Sequence, residues 1–184
     1  MTGNVFVISA PSGAGKSSLV KALCKLDHNI KVSVSHTTRI IRPGEINGID
    51  YFFIDKKQFE NMLNNNEFIE YANVYGNYYG TNLNTINNFI HNGHDIILEI
   101  DWQGAEQIKS IMPNAIMIYI KPPSLDELNN RLRLRNTDSD EVIKKRLALA
   151  EEDLSHAHKF EHIIVNDKFD NTLQKLYEII LNHR

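Results

Sequence analysis

Residues 5–18 read Val-Phe-Val-Ile-Ser-Ala-Pro-Ser-Gly-Ala-Gly-Lys-Ser-Ser: a β-branched apolar run, a glycine-rich turn, then a helical pattern carrying Leu19, Val20, Leu23 and Leu26. A strand that feeds a helix through so short a turn buries both apolar faces in a layered α/β arrangement. The turn matches Gly-x-x-x-x-Gly-Lys-Ser/Thr, with Ala10 in place of the first glycine. Its chemistry follows from residue types. Gly13 and Gly15 let backbone N–H groups converge on phosphate oxygens with no Cβ in the way. Lys16 brings a point charge to the β and γ phosphates, the Ser17 hydroxyl suits a Mg²⁺ ion, and the following helix turns its positive end to the same anion. Ala10, Pro11, Ser12, Ala14 and Ser18 complete the expected phosphate-binding turn. A plain strand-to-helix turn has no use for a lysine followed by two hydroxyls. Alanine at position 10 reaches a positive φ less easily than glycine, so that position tests the match.

The rest of the chain repeats the strand–helix rhythm. Asp95–Ile100, Ala115–Ile120 and His162–Val165 are short, apolar and β-branched, as buried parallel strands are. Helical patterning predicts helices over about 16–26, 103–111, 124–134, 139–157 and 169–183, and Ser124-Leu125-Asp126-Glu127 reads as a capping box. Residues 33–92 depart from the rhythm. They are rich in Tyr, Phe, Gly and Asn, with strand-like pieces at Tyr51–Ile54 and Phe68–Tyr75 around a small helix near 56–64. This predicts an inserted, partly antiparallel lobe. The segment 124–150, dense in Arg and Lys, predicts a mobile helical flap.

Composition narrows the class. The 184 residues suit a single domain, and a net charge of −3 argues against a dedicated nucleic-acid binder. A lone cysteine, Cys24, excludes an intrachain disulfide and fits a reducing compartment; its place beside Leu23 marks a filler more than a nucleophile. With no apolar run long enough to cross a bilayer and no leader-like start, the expectation is a cytoplasmic protein without membrane partners.

Further constellations carry chemistry. Ser35-His36-Thr37-Thr38-Arg39-Ile40-Ile41-Arg42-Pro43-Gly44-Glu45 sets two arginines near a turn, where their planar forks can clamp a phosphate. Tyr51 and the run Gly76-Asn77-Tyr78-Tyr79-Gly80-Thr81 offer hydroxyls that could close over a nucleotide. Glu99 and Asp101 stand at the carboxyl end of a core strand, where open α/β sheets bind ligands. Glu70 is a second isolated carboxylate. Guanine presents N1–H and N2–H₂ donors on one edge, which a carboxylate can accept; adenine lacks that donor pair.

Taken together, Ala10–Ser18, Ser35–Glu45, Asn47–Phe52, Phe68–Tyr71, Gly76–Gly80 and Ile100–Gly104 resemble the guanylate kinases, from the first strand to Ile164-Val165-Asn166-Asp167. The resemblance implies a P-loop-type parallel sheet flanked by helices, with an inserted mixed α/β GMP-binding lobe (about 33–92), a helical lid (about 124–150) and the core in the remainder. It implies transfer of the γ-phosphoryl group of Mg·ATP to GMP, with dGMP as an alternative acceptor, by a monomer or homo-oligomer. Carried over by motif, Lys16 and Ser17 handle the ATP phosphates and the metal, with Glu99 a second metal contact through water. Arg39, Arg42, Tyr51 and Tyr79 hold the GMP phosphate. Glu70 and Asp101 accept from guanine, and Ser35 and Thr81 add hydroxyls. Arg131, Arg135 and Arg146 match lid arginines that, with Lys16 and Arg39, neutralise the transferring phosphate; Asn166 and Asp167 lie near adenine. Asn136 departs from the glycine usual in the lid. His36, where a small residue is usual, is expected beside the base, and Trp102 behind it.

Phosphoryl transfer needs positioning and charge neutralisation, and the acceptor phosphate of GMP is already anionic, so no general base is assigned. Two other readings stay open on the residues alone: a kinase for another nucleoside monophosphate, and a non-catalytic interaction module built on the same fold.

Overall fold

The computed structural model describes residues 3–74, 76–134 and 139–184. In chain order the elements are β1 (Val5–Ser9), α1 (Lys16–Leu26), β2 (Ile30–Val32), β3 (His36–Thr37), β4 (Phe52–Phe53), α2 (Lys56–Asn64), β5 (Phe68–Val74), β6 (Asn77–Asn82) and α3 (Leu83–His91). They continue with β7 (Asp95–Glu99), α4 (Trp102–Ile111), β8 (Ile116–Lys121), α5 (Leu125–Leu134), α6 (Asp140–Ser155), a 3-10 turn (Ala157–Lys159), β9 (His162–Val165) and α7 (Phe169–Asn182).

Five parallel strands in the order β2-β7-β1-β8-β9 form the core sheet. Every residue of β1 is buried, because helices cover both faces. Alternation along the strand assigns the two layers. Phe6 and Ile8 pack with Leu19, Val20 and Leu23 of α1 and Leu176 and Ile180 of α7. Val5 and Val7 face Ile86 of α3, Ala105 and Ile108 of α4, and Phe160. The strand order reverses around β1, so the glycine-rich turn leaves the sheet at the switch point where ligands of such sheets bind.

The second sheet runs β4-β3-β6-β5 and is antiparallel except for the short β3–β4 pair. Its outer strand β5 is covered by the core: Gln107 of α4 accepts from the Tyr71 amide (3.1 Å) and donates to the Tyr71 carbonyl (2.8 Å), like a neighbouring strand. Lys21 of α1 adds an ion pair to Asp50 (2.6 Å).

Strand–helix alternation in the core follows the sequence expectation to within a residue or two. Four elements escaped it: β2, β3, β6 and α3. The first two have two or three residues each, too few to show a period. The Gly-Asn-Tyr-Tyr-Gly stretch, which carries hydroxyls expected to close over a nucleotide, is largely β6. At α5 the Ser124 hydroxyl accepts from the Glu127 amide (3.1 Å), while the Glu127 carboxylate holds Arg131 Nε (2.9 Å). A reciprocal capping box forms at α2 between Asp55 and Gln58.

Candidate active site

The glycine-rich turn has the geometry its residues imply. Gly13 and Gly15 adopt φ 99° and 98°, left-handed values that disfavour any side chain. Ala10 is not in that region: among the described residues Asn66 alone is a non-glycine there. The missing first glycine therefore costs the turn no backbone strain. A Cβ on Gly13 would lie 2.9 Å from Leu132 Cδ2 and 3.0 Å from Leu128 Cδ1, so the buried face of α5 sits directly on the turn.

Lys16 opens α1 and reaches the Ile100 carbonyl (3.1 Å), while Ser17 Oγ donates to Glu99 Oε2 (2.8 Å) at the end of β7. Burial pushes the Lys16 pKa down, opposed by the negative charges of Glu99, Asp101, Asp153 and Glu70. Those carboxylates favour the charged ammonium against the effect of burial. Buried Asn166 donates to the Ala14 carbonyl (2.7 Å) and accepts at its own carbonyl from Arg131 Nη2 (3.0 Å), linking α5 to the turn. Gly13, Gly15, Ser18, Arg131, Asn166 and exposed Asp167 line a cavity of about 370 Å³.

Across the cleft lies a buried polar cluster. Glu70 is 3% exposed, and the Thr81 hydroxyl, itself 3.4 Å from Ser35 Oγ, donates to Glu70 Oε1. A β-bulge lies immediately before Glu70. Phe68 pairs with Asn82 but Glu70 with Thr81, two steps on one strand against one on the other. The extra residue turns Phe68 to one face of the sheet and Glu70 to the other. Burial raises the Glu70 pKa to about 7, although the Thr81 hydroxyl pulls it down. A Cβ on Gly104 would come within 2.3 Å of Glu70 Oε2, so α4 approaches this carboxylate through a glycine. Asp101 caps α4, accepting from the Gly104 amide (3.0 Å) and Gln103 Nε2 (2.9 Å).

At the far end, Arg39 lies against Tyr51 and Phe53, with its guanidinium carbon 5.4 and 5.6 Å from the ring centroids. Tyr51 and Tyr79 meet edge to face at 5.8 Å. Arg39 is forked onto Glu45 (2.7 and 3.1 Å), which also accepts from the Arg42 amide (2.8 Å). Glu45 was missed as a site residue; its place three after Arg42 and six after Arg39 was the available signal. Burial pushes the Tyr51 hydroxyl up to about 12.

His36 does not stand beside this cluster. Strand alternation places it on the opposite face, stacked on Phe52 (4.8 Å) and edge-on to Phe68 (5.6 Å). Trp102, partly buried against the core, stacks on His156. Arg146 is buried on α6. Arg135 and Asn136 lie outside the described residues. Partly buried Cys24 packs on the α1 side of the core, and burial pushes its thiol up to about 11. Asp153 escaped sequence reading; burial and the nearby Asp101 charge raise its pKa to about 7.

Comparison with known proteins identifies the family. The guanylate kinase family model matches residues 2–183. A guanylate kinase of Methylobacillus flagellatus is 50% identical, covering all of this chain and 91% of its own length. One from Thiobacillus denitrificans is 53% identical over 96% of this chain and 85% of its own. The crystal structure of guanylate kinase from Anaplasma phagocytophilum superimposes with a TM-score of 0.80 at 34% identity, covering 98% of this chain and 86% of its own. A glycine-rich phosphate turn at the sheet's switch point and a buried carboxylate facing it are what that match leads one to find, and the chain belongs to the guanylate kinase family, the ATP-dependent kinases of GMP.

Proposed function

We propose that the two walls of this cleft divide the two substrates. The glycine-rich turn with Lys16, Ser17, Arg131, Asn166 and Asp167 takes ATP, and the second sheet takes GMP. The observation that carries this assignment is Glu70: a carboxylate buried among hydroxyls at the cleft, fitted to accept the N1–H and N2–H₂ donors of guanine. Asp101 adds a second acceptor, with Ser35 and Thr81 as hydroxyl partners. Arg39, Arg42, Tyr51 and Tyr79 hold the GMP phosphate, whose charge replaces Glu45 on the Arg39 fork.

Ser17 Oγ at the start of α1 and Glu99 at the end of β7 are hard oxygen ligands 2.8 Å apart, a set that would hold a Mg²⁺ ion, Glu99 through water. When bound, Mg²⁺ supplies charge neutralisation at the β and γ phosphates. The chain's own groups do the rest. Lys16 stabilises the charge that shifts onto the leaving ADP, and Arg131 and Arg146 neutralise the transferring group, a role the family resemblance also gives Arg135. No side chain needs to remove a proton, because the attacking phosphate oxygen is already anionic.

Closure of the 33–92 lobe and the 124–150 lid excludes water and protects ATP from hydrolysis. No described helix is long and apolar enough to cross a membrane, and the reading places the reaction in the cytoplasm. A coupled assay with ATP against GMP, dGMP, AMP, CMP and UMP tests the acceptor assignment. Turnover confined to GMP and dGMP, dependent on Mg²⁺, is the expected result; equal use of AMP would overturn it.

A further inference from the structure

α6 presents Ile143, Arg146, Ala150 and Asp153 along one stripe, and His156 caps its carboxyl end. The His156 ring lies flat on Trp102, with centroids 3.6 Å apart and planes 7° apart. Its Nδ1 is buried without a hydrogen-bond partner in the described structure, so no bond at that nitrogen orients the ring; face contact does. Trp102 is the first residue of α4 and follows Asp101 directly. Both Asp101 carboxylate oxygens are tied to that same helix turn, through Gly104 N and Gln103 Nε2. Lys159 Nζ stands 5.2 Å from the Trp102 centroid and pairs with Glu106, fastening the end of the α6 region to α4 a second time.

We propose that the His156–Trp102 stack is a positioning contact through which guanine recognition at Asp101 sets the placement of Arg146. The inference rests on the assignment of Asp101 to the base and Arg146 to the phosphoryl group. α6 acts as a lever. Arg146 lies ten residues from His156, roughly 15 Å along a helix rising 1.5 Å per residue. A small turn of the α4 start, made as Asp101 accepts the guanine donors, reaches α6 at its root and grows along its length. Planar ring contacts transmit such a shift because close-packed groups slide or stay seated and do not compress. GMP bound on one wall thus prepares the other wall for the ATP phosphates.

The test compares wild type, His156→Ala and His156→Phe. Calorimetry measures the affinity of a non-hydrolysable ATP analogue with and without saturating GMP. In the wild type, GMP tightens the analogue at least about fivefold. In His156→Ala the gain shrinks below about twofold and kcat falls about fivefold to tenfold, while the KM for GMP stays within about twofold. His156→Phe, which keeps a stacking ring, restores both. Trp102 is the single tryptophan, so its emission reports the contact directly and shifts on GMP addition in the wild type and the Phe variant. A purely structural role would lower the melting temperature and leave the GMP–ATP coupling intact, and that result overturns the proposal. So does a wild type without coupling, or a Phe variant that fails to rescue. Asp101→Asn separates the two levels. If it binds GMP normally, the base assignment itself fails; if it loses GMP while His156→Ala matches wild type, only the coupling fails.

Discussion

The glycine-rich turn and the wall proposed to take guanine are built in opposite ways. The turn is local: nine consecutive residues, two glycines at positive φ and a helix start place every group. The wall proposed for guanine is assembled from Ser35, Glu70, Thr81 and Asp101, contributed by separate strands and a helix cap, and its buried carboxylate faces inward through the register that β5 keeps with β6. A local site tolerates change around it; an assembled one depends on register and on close approach between elements. Substitutions in each wall should therefore separate the two substrates.

The largest effect is expected in the turn. Lys16→Met should lower kcat by roughly 10³-fold, as loss of a charge poised on a reacting phosphate does, while GMP affinity measured by calorimetry stays within about twofold. A parallel loss of GMP binding would erase the division between the walls.

Next comes Glu70→Gln, which should cut kcat/KM for GMP by about 10- to 100-fold with little change in the KM for ATP. The same variant carries a stability signature of definite sign. The Glu70 pKa in the folded protein, about 7, stands above the ordinary glutamate range. The folded state therefore binds more protons than the unfolded one between that range and about pH 7, and stability falls as pH rises through this window. Glutamine removes the penalty, so the free variant should be more stable to unfolding than the parent at pH 8, by on the order of 1–3 kcal/mol. For the parent, acidification from pH 8 to pH 6 should raise the KM for GMP, since the carboxylate must be ionised to accept from guanine. A flat KM profile in the parent would remove Glu70 from base recognition.

A smaller effect is expected from Gly104→Ala. The added Cβ would lie 2.3 Å from Glu70 Oε2, so carboxylate or helix must give way. An overpacking cost of about 1–3 kcal/mol corresponds to roughly a tenfold rise in the KM for GMP, with ATP kinetics preserved. An unchanged KM would show that α4 yields freely. The least is expected of Lys21→Ala. Its pair with Asp50 joins the two walls, but the lysine is 61% exposed and such pairs contribute little. Both KM values should move less than about twofold, at low salt as at high.

The sequence was most readable where physics is local. The five-residue apolar run of β1, the glycines of the turn and the periodicity of α1 and α7 each announce their structure within a short window. Glu70 and Asp101 could be named from chemistry and family pattern, yet their settings could not. That Asp101 spends both oxygens on capping α4, and that Glu45 engages Arg39, are outcomes of tertiary approach. His36 went astray for a related reason. One residue after Ser35 in a strand lies on the opposite face, where His36 joins Phe52 and Phe68, and a two-residue strand shows no alternation to reveal this. Asp153 gave no local signal either, since it sits among the other charges of a mostly solvated helix.

The bulge in β5 also bears on how this protein can vary. Because the unbroken pairing from Glu70 to Val74 decides which way Glu70 points, and the surplus residue before it absorbs the mismatch with Phe68, the wall proposed for guanine is sensitive to chain length at that strand as well as to residue identity. Substitutions at the other positions from Phe68 to Val74 can leave the register, and with it the Glu70 face, in place. Deleting one residue between Glu70 and Val74 keeps the glutamate in the chain and turns it to the face opposite Thr81. Insertions and deletions in this strand are thus the changes by which a relative could lose GMP recognition while every recognition residue is still present in its sequence.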